Sequence, residues 1–182
     1  MSSPETADRG YFSPDVYSAA SPATLHHAHW QKDKSFVAAL SGSWKSQYAD
    51  YIGVSGAEAL VNRLLDNGEI LAHDPGGTLV AIVANRYAGI ASLRQLEGFA
   101  LVTQLEVLEE YRGLGIGKQL VNALTTIKSP LVAHVSIKRP RVKAFYESLD
   151  FHGLQQVTVD HYEHALLFDV MARPVGGHLS FE

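Results

Sequence analysis

Apolar residues recur along this chain at two different periods, and the change from one to the other divides it. Up to residue 30 neither period holds. Ser13-Pro14 and Ser21-Pro22 interrupt a polar, histidine-bearing stretch that reads as an irregular arm or a short strand. Phe36, Leu40, Trp44, Tyr48 and Ile52 then follow one another at i+4 spacing, an apolar ridge along one helix face. Gly42 weakens that helix by about 1 kcal/mol relative to alanine. The simplest role for the ridge is core packing, and a sharper one has Trp44, Tyr48 and Tyr51 walling a ligand pocket. Ser55-Gly56-Ala57-Glu58 has the form of a capping box, ahead of an apolar stripe of Leu60, Val61, Leu64 and Leu65. Asn67-Gly68 supplies the stop.

From residue 78 the period becomes that of strands. Thr78 to Ala84 is a short apolar run, Asn85-Arg86-Tyr87 a tight return, and Ala88 to Leu96 the next strand. Phe99 to Leu108 alternates, with Leu101, Thr103, Leu105 and Val107 on one face. Connections of a few residues make these three an antiparallel meander. A helix over Gly115 to Ile127 carries Ile116, Leu120, Ala123, Leu124 and Ile127 on one side. Ser129-Pro130 ends it, and Leu131 to Ser136 reads as a buried strand. Pro140 suits a first helical position, with Val142, Phe145 and Leu149 as the inner face. Two last strands, Gln155 to Val159 and Leu166 to Val170, flank a polar loop. One domain over 33–175 is expected, with an arm over 1–32 and a tail over 176–182.

Composition narrows the function. The 182 residues are 46% hydrophobic and 19% charged, enough for a core and unlike a disordered chain. A net charge of -4 argues against a nucleic-acid-wrapping protein. With no cysteine, the chain has no disulfide, thiolate zinc site, iron–sulfur cluster or cysteine nucleophile. No stretch has the apolar length of a membrane span, and Met1 to Gly10 is not a secretory leader, so a cytoplasmic location is expected. His26-His27-Ala28-His29 lacks further ligands at suitable spacing and reads as part of a polar arm, so no metal is expected.

The most informative segment is Leu105-Glu106-Val107-Leu108-Glu109-Glu110-Tyr111-Arg112-Gly113-Leu114-Gly115-Ile116-Gly117-Lys118. It closes a strand and opens a helix through alternating glycines. Such a turn lets backbone amides converge where the helix dipole also favours an anion. Two phosphate patterns fail. Gln119 stands where a Walker loop needs Ser or Thr, with Arg112 at its first glycine position. The spacing G-x-G-x-G is not the dinucleotide fingerprint G-x-G-x-x-G.

A third pattern, R/Q-x-x-G-x-G/A, is met in full by Arg112 to Gly117. With the L-x-V strand end before it, the segment resembles the acetyl-CoA signature of the GNAT superfamily of N-acetyltransferases. About thirty residues on, Lys143-Ala144-Phe145-Tyr146-Glu147-Ser148-Leu149-Asp150-Phe151 is similar to the tyrosine-bearing helix of that family. The resemblance spans roughly residues 78 to 170. It departs at two places: Arg139 stands where the family often has asparagine, and Asp150 where it has glycine.

The resemblance implies an α/β (α+β) fold, a mixed, mostly antiparallel twisted sheet flanked by helices and splayed between its central strands. Acetyl-CoA, as co-substrate, would lie in the splay. Its pyrophosphate would rest on Arg112, Gly113, Leu114, Gly115, Ile116, Gly117 and Lys118, and its pantetheine arm on the backbone of Leu105 and Val107. Acetyl transfer would go directly to a primary amine of a small molecule or peptide, with a homodimer a candidate assembly and no nucleic acid or membrane as partner. Tyr146 occupies the place of the family's acid, and a phenol protonates a thiolate at little cost. A base is needed because an aliphatic ammonium has a pKa near 10.4. Glu106 and His134 both qualify, the latter twelve residues before Tyr146 on the companion strand. Asp160, His161, Glu163 and His164 fall in a loop that often shapes the acceptor pocket in this family. The alternative is a non-catalytic CoA-binding sensor or interaction module of the same fold.

Overall fold

The computed structural model describes residues 23–66, 77–125, 128–161 and 164–175. The stop at Asn67-Gly68, the helix end at Ile127, Glu163 and the tail beyond 175 lie outside them, as does most of the N-terminal arm. In chain order the elements are β1 (Thr24–His27), α1 (Trp30–Asp66), β2 (Thr78–Val83), β3 (Arg86–Gln95) and β4 (Ala100–Val107). A 3-10 turn over Glu109–Tyr111 then leads to α2 (Ile116–Leu124), β5 (Leu131–Ser136), α3 (Pro140–Glu147), β6 (His152–His161) and β7 (His164–Arg173).

The seven strands form one open sheet in the order β1-β2-β3-β4-β5-β7-β6. Every neighbouring pair is antiparallel except β4 and β5. The expected meander of β2, β3 and β4 is present, with its first turn at Ala84-Asn85 rather than at 85–87. Both turn residues have positive φ, 45° and 62°, the twist a two-residue hairpin requires. The last hairpin is tighter than the polar loop expected: Asp160 pairs with Ala165 and His161 with His164.

α2 and α3 cover one face of the sheet, where Leu120, Val121, Val135, Leu149, Phe151 and Met171 share the larger core. Fully burying side chains of this size contributes ~1.5–3 kcal/mol each. α1 covers the other face through Phe36, Leu40 and Val61 packed on Val80 and Ile90. The apolar ridge is thus core at Phe36 and Leu40, while Tyr48 packs against its edge. The helix runs through Gly42 and breaks instead at Gly53, with φ 72° and ψ 167°. Only the absence of a Cβ makes that conformation cheap. Glu58 of the expected capping box pairs with Lys45 at 3.2 Å across the break.

Residues 23–29, the described part of the polar stretch, are more ordered than its composition suggests. Thr24 to His27 hydrogen-bonds along β2 as an edge strand, in register with Ile82 to Leu79. One distant side chain and one nearby hold it. Gln119 makes a two-way amide pair with Ala23, at 2.6 and 3.1 Å. Buried Asp33 accepts from the His29 amide at 2.6 Å and the Tyr87 hydroxyl at 2.8 Å. Backbone pairing to an existing edge needs no hydrophobic period, so the sequence pattern could not show it.

Candidate functional site

β4 and β5 run together for only three residues. Ala100, Leu101 and Val102 pair with Leu131, Val132 and Ala133, and beyond them the strands separate. What faces the opening follows from the register on the other side. Leu108 donates to the Ala88 carbonyl at 2.9 Å, and Glu106 lies opposite Ile90, so Gln104, Glu106 and Leu108 turn their backbone groups toward β3. Alternation then points the amides and carbonyls of Leu105 and Val107 into the gap. Their side chains pack on the larger core, which leaves Glu106 on the opposite face.

The glycine turn closes one end of this gap. Gly113 and Gly115 adopt φ of 79° and 80°, where an L side chain is strained. Gly117 has a different reason to be glycine. A Cβ there would lie 3.3 Å from the Phe145 ring, so its absence lets α2 pack closely on α3. Gly115 is the N-cap of α2 and makes no side-chain cap. The first helical bond is Gln119 N–H to the Gly115 carbonyl at 3.0 Å, so the amides of Ile116, Gly117 and Lys118 precede the intrahelical ladder. Arg112 is exposed, and its Nε donates to the Val107 carbonyl at 3.0 Å, which holds the guanidinium beside the turn. Lys118 and Leu114 are exposed, whereas Ile116 is buried, so only its backbone faces the turn. Amides, dipole and two cations suit a pyrophosphate.

Tyr146 is buried on α3, edge-on to Phe145 and Phe151 at centroid distances of 5.4 and 4.9 Å. Burial pushes its phenol pKa well above the ordinary value, and the Glu106 carboxylate adds to the shift. Two side chains from opposite faces of the sheet are therefore electrostatically in touch through the gap. Glu106 is itself only 8% exposed. The raised pKa changes the expected role of the phenol. A thiol has a pKa near 8.5, so full transfer of so tightly held a proton to a thiolate runs uphill. A hydrogen bond to the thiolate does not.

His134 follows Ala133 on β5 and shares a face with Val132 and Val170, away from Tyr146's core. It is exposed at the rim, and partial desolvation lowers its imidazole pKa, so the neutral form prevails near pH 7. Its ring lies 6.2 Å from Phe168, which lies 6.4 Å from Tyr51 of α1. Of the three aromatics proposed as a pocket wall, Tyr51 thus reaches Phe168 beside His134, and Tyr48 packs against the α1 cluster. The side chain of Trp44 is outside the described set.

Several interactions escaped the sequence reading. Arg139 caps α3 and reaches Asp50 of α1 at 3.5 Å, while Lys138 stands 4.8 Å over the Tyr51 ring. Asp150 takes φ 63°, the left-handed conformation that glycine favours and aspartate tolerates. Asp169 of β7 holds Lys143 and Gln156, each at 2.9 Å, fastening α3 to the sheet. Lys143 and Gln156 hold its carboxyl below the usual range, and the same pairing raises the lysine. Among the described residues no three metal-ligating side chains gather, and no helix is long and apolar enough to cross a membrane.

A family model described as the acetyltransferase (GNAT) domain matches residues 74–153. Among curated proteins none matches. Solved structures of the same fold include a GCN5-related N-acetyltransferase from Rhodopseudomonas palustris, 22% identical, with TM-score 0.67 over 85% of this chain and 96% of that one. Another is the PaiA N-acetyltransferase of Thermoplasma acidophilum in complex with coenzyme A, 15% identical, with TM-score 0.64 over 85% and 99%. A spermidine N-acetyltransferase chimera from Vibrio cholerae and human sequences is 17% identical, with TM-score 0.62 over 85% and 96%. The parted strands and the uncapped glycine turn agree with the family model: residues 74–153 match the GNAT acetyltransferase domain, within a chain of the GNAT fold.

Proposed function

We propose that this protein transfers an acetyl group from acetyl-CoA directly to a primary amine of a small molecule or peptide. One observation carries the reading: backbone of Leu105 and Val107 not used by the β3 ladder faces a gap whose end is an uncapped helix N-terminus, with Arg112 on the Val107 carbonyl. The pantetheine arm pairs there as a strand would, and the pyrophosphate takes the amides of 116–118 with Arg112 and Lys118.

Within the gap, Glu106 draws the acceptor's ammonium and takes its proton, directly or through water. The amine nitrogen then attacks the thioester carbon, the C–N bond forms, the C–S bond breaks to leave a thiolate, and the nitrogen's second proton passes through water to solvent or to that sulfur. Tyr146, protonated throughout the physiological range, donates a hydrogen bond to that sulfur. His134, at the rim, is the second candidate base. The PaiA structure, a complex with coenzyme A on the same fold, supports this placement of the cofactor.

Thermal shift and thiol release test the proposal. CoA and acetyl-CoA are expected to raise Tm, and Arg112→Glu to weaken that shift. Tyr146→Phe is expected to lower kcat at least tenfold while CoA still binds. Indifference to both CoA and acetyl-CoA sinks the proposal. Binding without thiol release from any amine instead favours a CoA sensor.

A further inference from the structure

Two buried side-chain atoms among the described residues have no hydrogen-bond partner, the hydroxyl of Tyr51 and Nε2 of Gln104. Buried polar groups are almost always paired, so an orphan asks for an explanation. Both lie on the α1 side of the sheet. Gln104 lies two residues beyond Val102, where β4 leaves β5, and shares its strand face with Glu106. Tyr51 sits two residues before the break at Gly53, its ring over Phe168 beside His134. Orphans, rim histidine and Glu106 thus all face the α1 side of the opening.

We propose that Tyr51 and Gln104 form the acceptor-recognition subsite, and that the acceptor is an amine also bearing a carbonyl or carboxylate oxygen. The inference rests on the acetyltransferase reading above. Nε2 of a glutamine can only donate, and a tyrosine hydroxyl donates readily. Two unpartnered donors on one side of the sheet call for an oxygen. The Lys138 ammonium 4.8 Å over the Tyr51 ring strengthens that preference, since it attracts an oxygen and repels a second cation. Glu106 on the same face receives the ammonium. An alkyl amine or polyamine leaves both donors unpaired, and a polyamine sets another positive charge against Lys138.

Alaninamide and sec-butylamine test this, being alike in shape and differing in the amide, with spermidine as the polyamine probe. Wild type, Tyr51→Phe and Gln104→Leu are compared as kcat/KM ratios, so that amine basicity cancels. Each variant is expected to lower the alaninamide to sec-butylamine preference about five- to tenfold, the yield of one hydrogen bond. An unchanged CoA thermal shift shows that the variants fold. Equal losses for both amines, or none, overturn the inference alone. Spermidine as best substrate, insensitive to both variants, does the same. No thiol release from any of the three amines overturns the inference and the catalytic reading together.

Discussion

The two faces of the sheet are built to different standards of completeness. Under α2 and α3 the packing is closed: Gly117 admits the Phe145 ring, Tyr146 is clasped by two aromatics, and Asp169 satisfies Lys143 and Gln156. Under α1 the apolar cluster is smaller, the helix breaks at Gly53, and Tyr51 and Gln104 keep unmatched polar atoms. The difference teaches what each face is for. On the proposed reading, a cofactor that does not vary would be met by a rigid, satisfied frame, and an acceptor by groups whose partners arrive with it.

Glu106→Gln is the severest test of the contrast. Removing a general base costs ~10²–10⁴-fold in rate, so kcat is expected to fall at least a hundredfold while CoA affinity holds. A loss under tenfold returns the role to His134. Gly115→Val attacks the opposite face. Forcing a β-branched residue to φ 80° costs about 1–3 kcal/mol, and acetyl-CoA KM is expected to rise at least tenfold by steady-state kinetics. Unaltered KM there would separate the turn from cofactor binding.

The third test is the acid limb of kcat/KM. Desolvation lowers the His134 pKa, so the imidazole loses its proton below the ordinary 6.5 and a limb governed by it falls off only below that pH. His134→Asn is expected to cost under tenfold and leave the limb unmoved if Glu106 is the base. The smallest effect concerns the frame. The Asp169 carboxyl, lowered in the fold, stabilises above its unfolded value near 3.9 and ceases to as pH falls through the folded one. Asp169→Asn is expected to lower Tm at pH 7 and to flatten its decline below pH 4, read by calorimetry.

The same contrast explains what was legible. The face under α2 and α3 is written in adjacent residues: glycine turn, helix and tyrosine helix fall within 112–149, and local rules of φ and dipole apply to them. The α1 face is assembled from distant segments, Tyr51, Gln104, Glu106, His134 and Phe168, which no spacing rule connects. Glu106 was visible because strand alternation sets it opposite Leu105 and Val107, and His134 through the family resemblance. Gln104 lies on that same face, two positions from Glu106, yet a glutamine in a strand gives no chemical signal. Arg139, singled out only as a departure from asparagine, finds its partner on a helix 89 residues away.

From the sequence by itself came the order of elements, the meander, the anion turn and the separation of Leu105 and Val107 from Glu106. These follow from periodicity and backbone sterics, which act over a few residues. Only the tertiary structure decided that the strands part after Val102 and that polar residues 24–27 close the sheet edge. It alone showed why Gly117 is glycine, and that burial, with Glu106 adding to it, raises the pKa of the Tyr146 phenol. Each of these depends on which distant groups share a small volume, where exclusion of water and close packing set the energies.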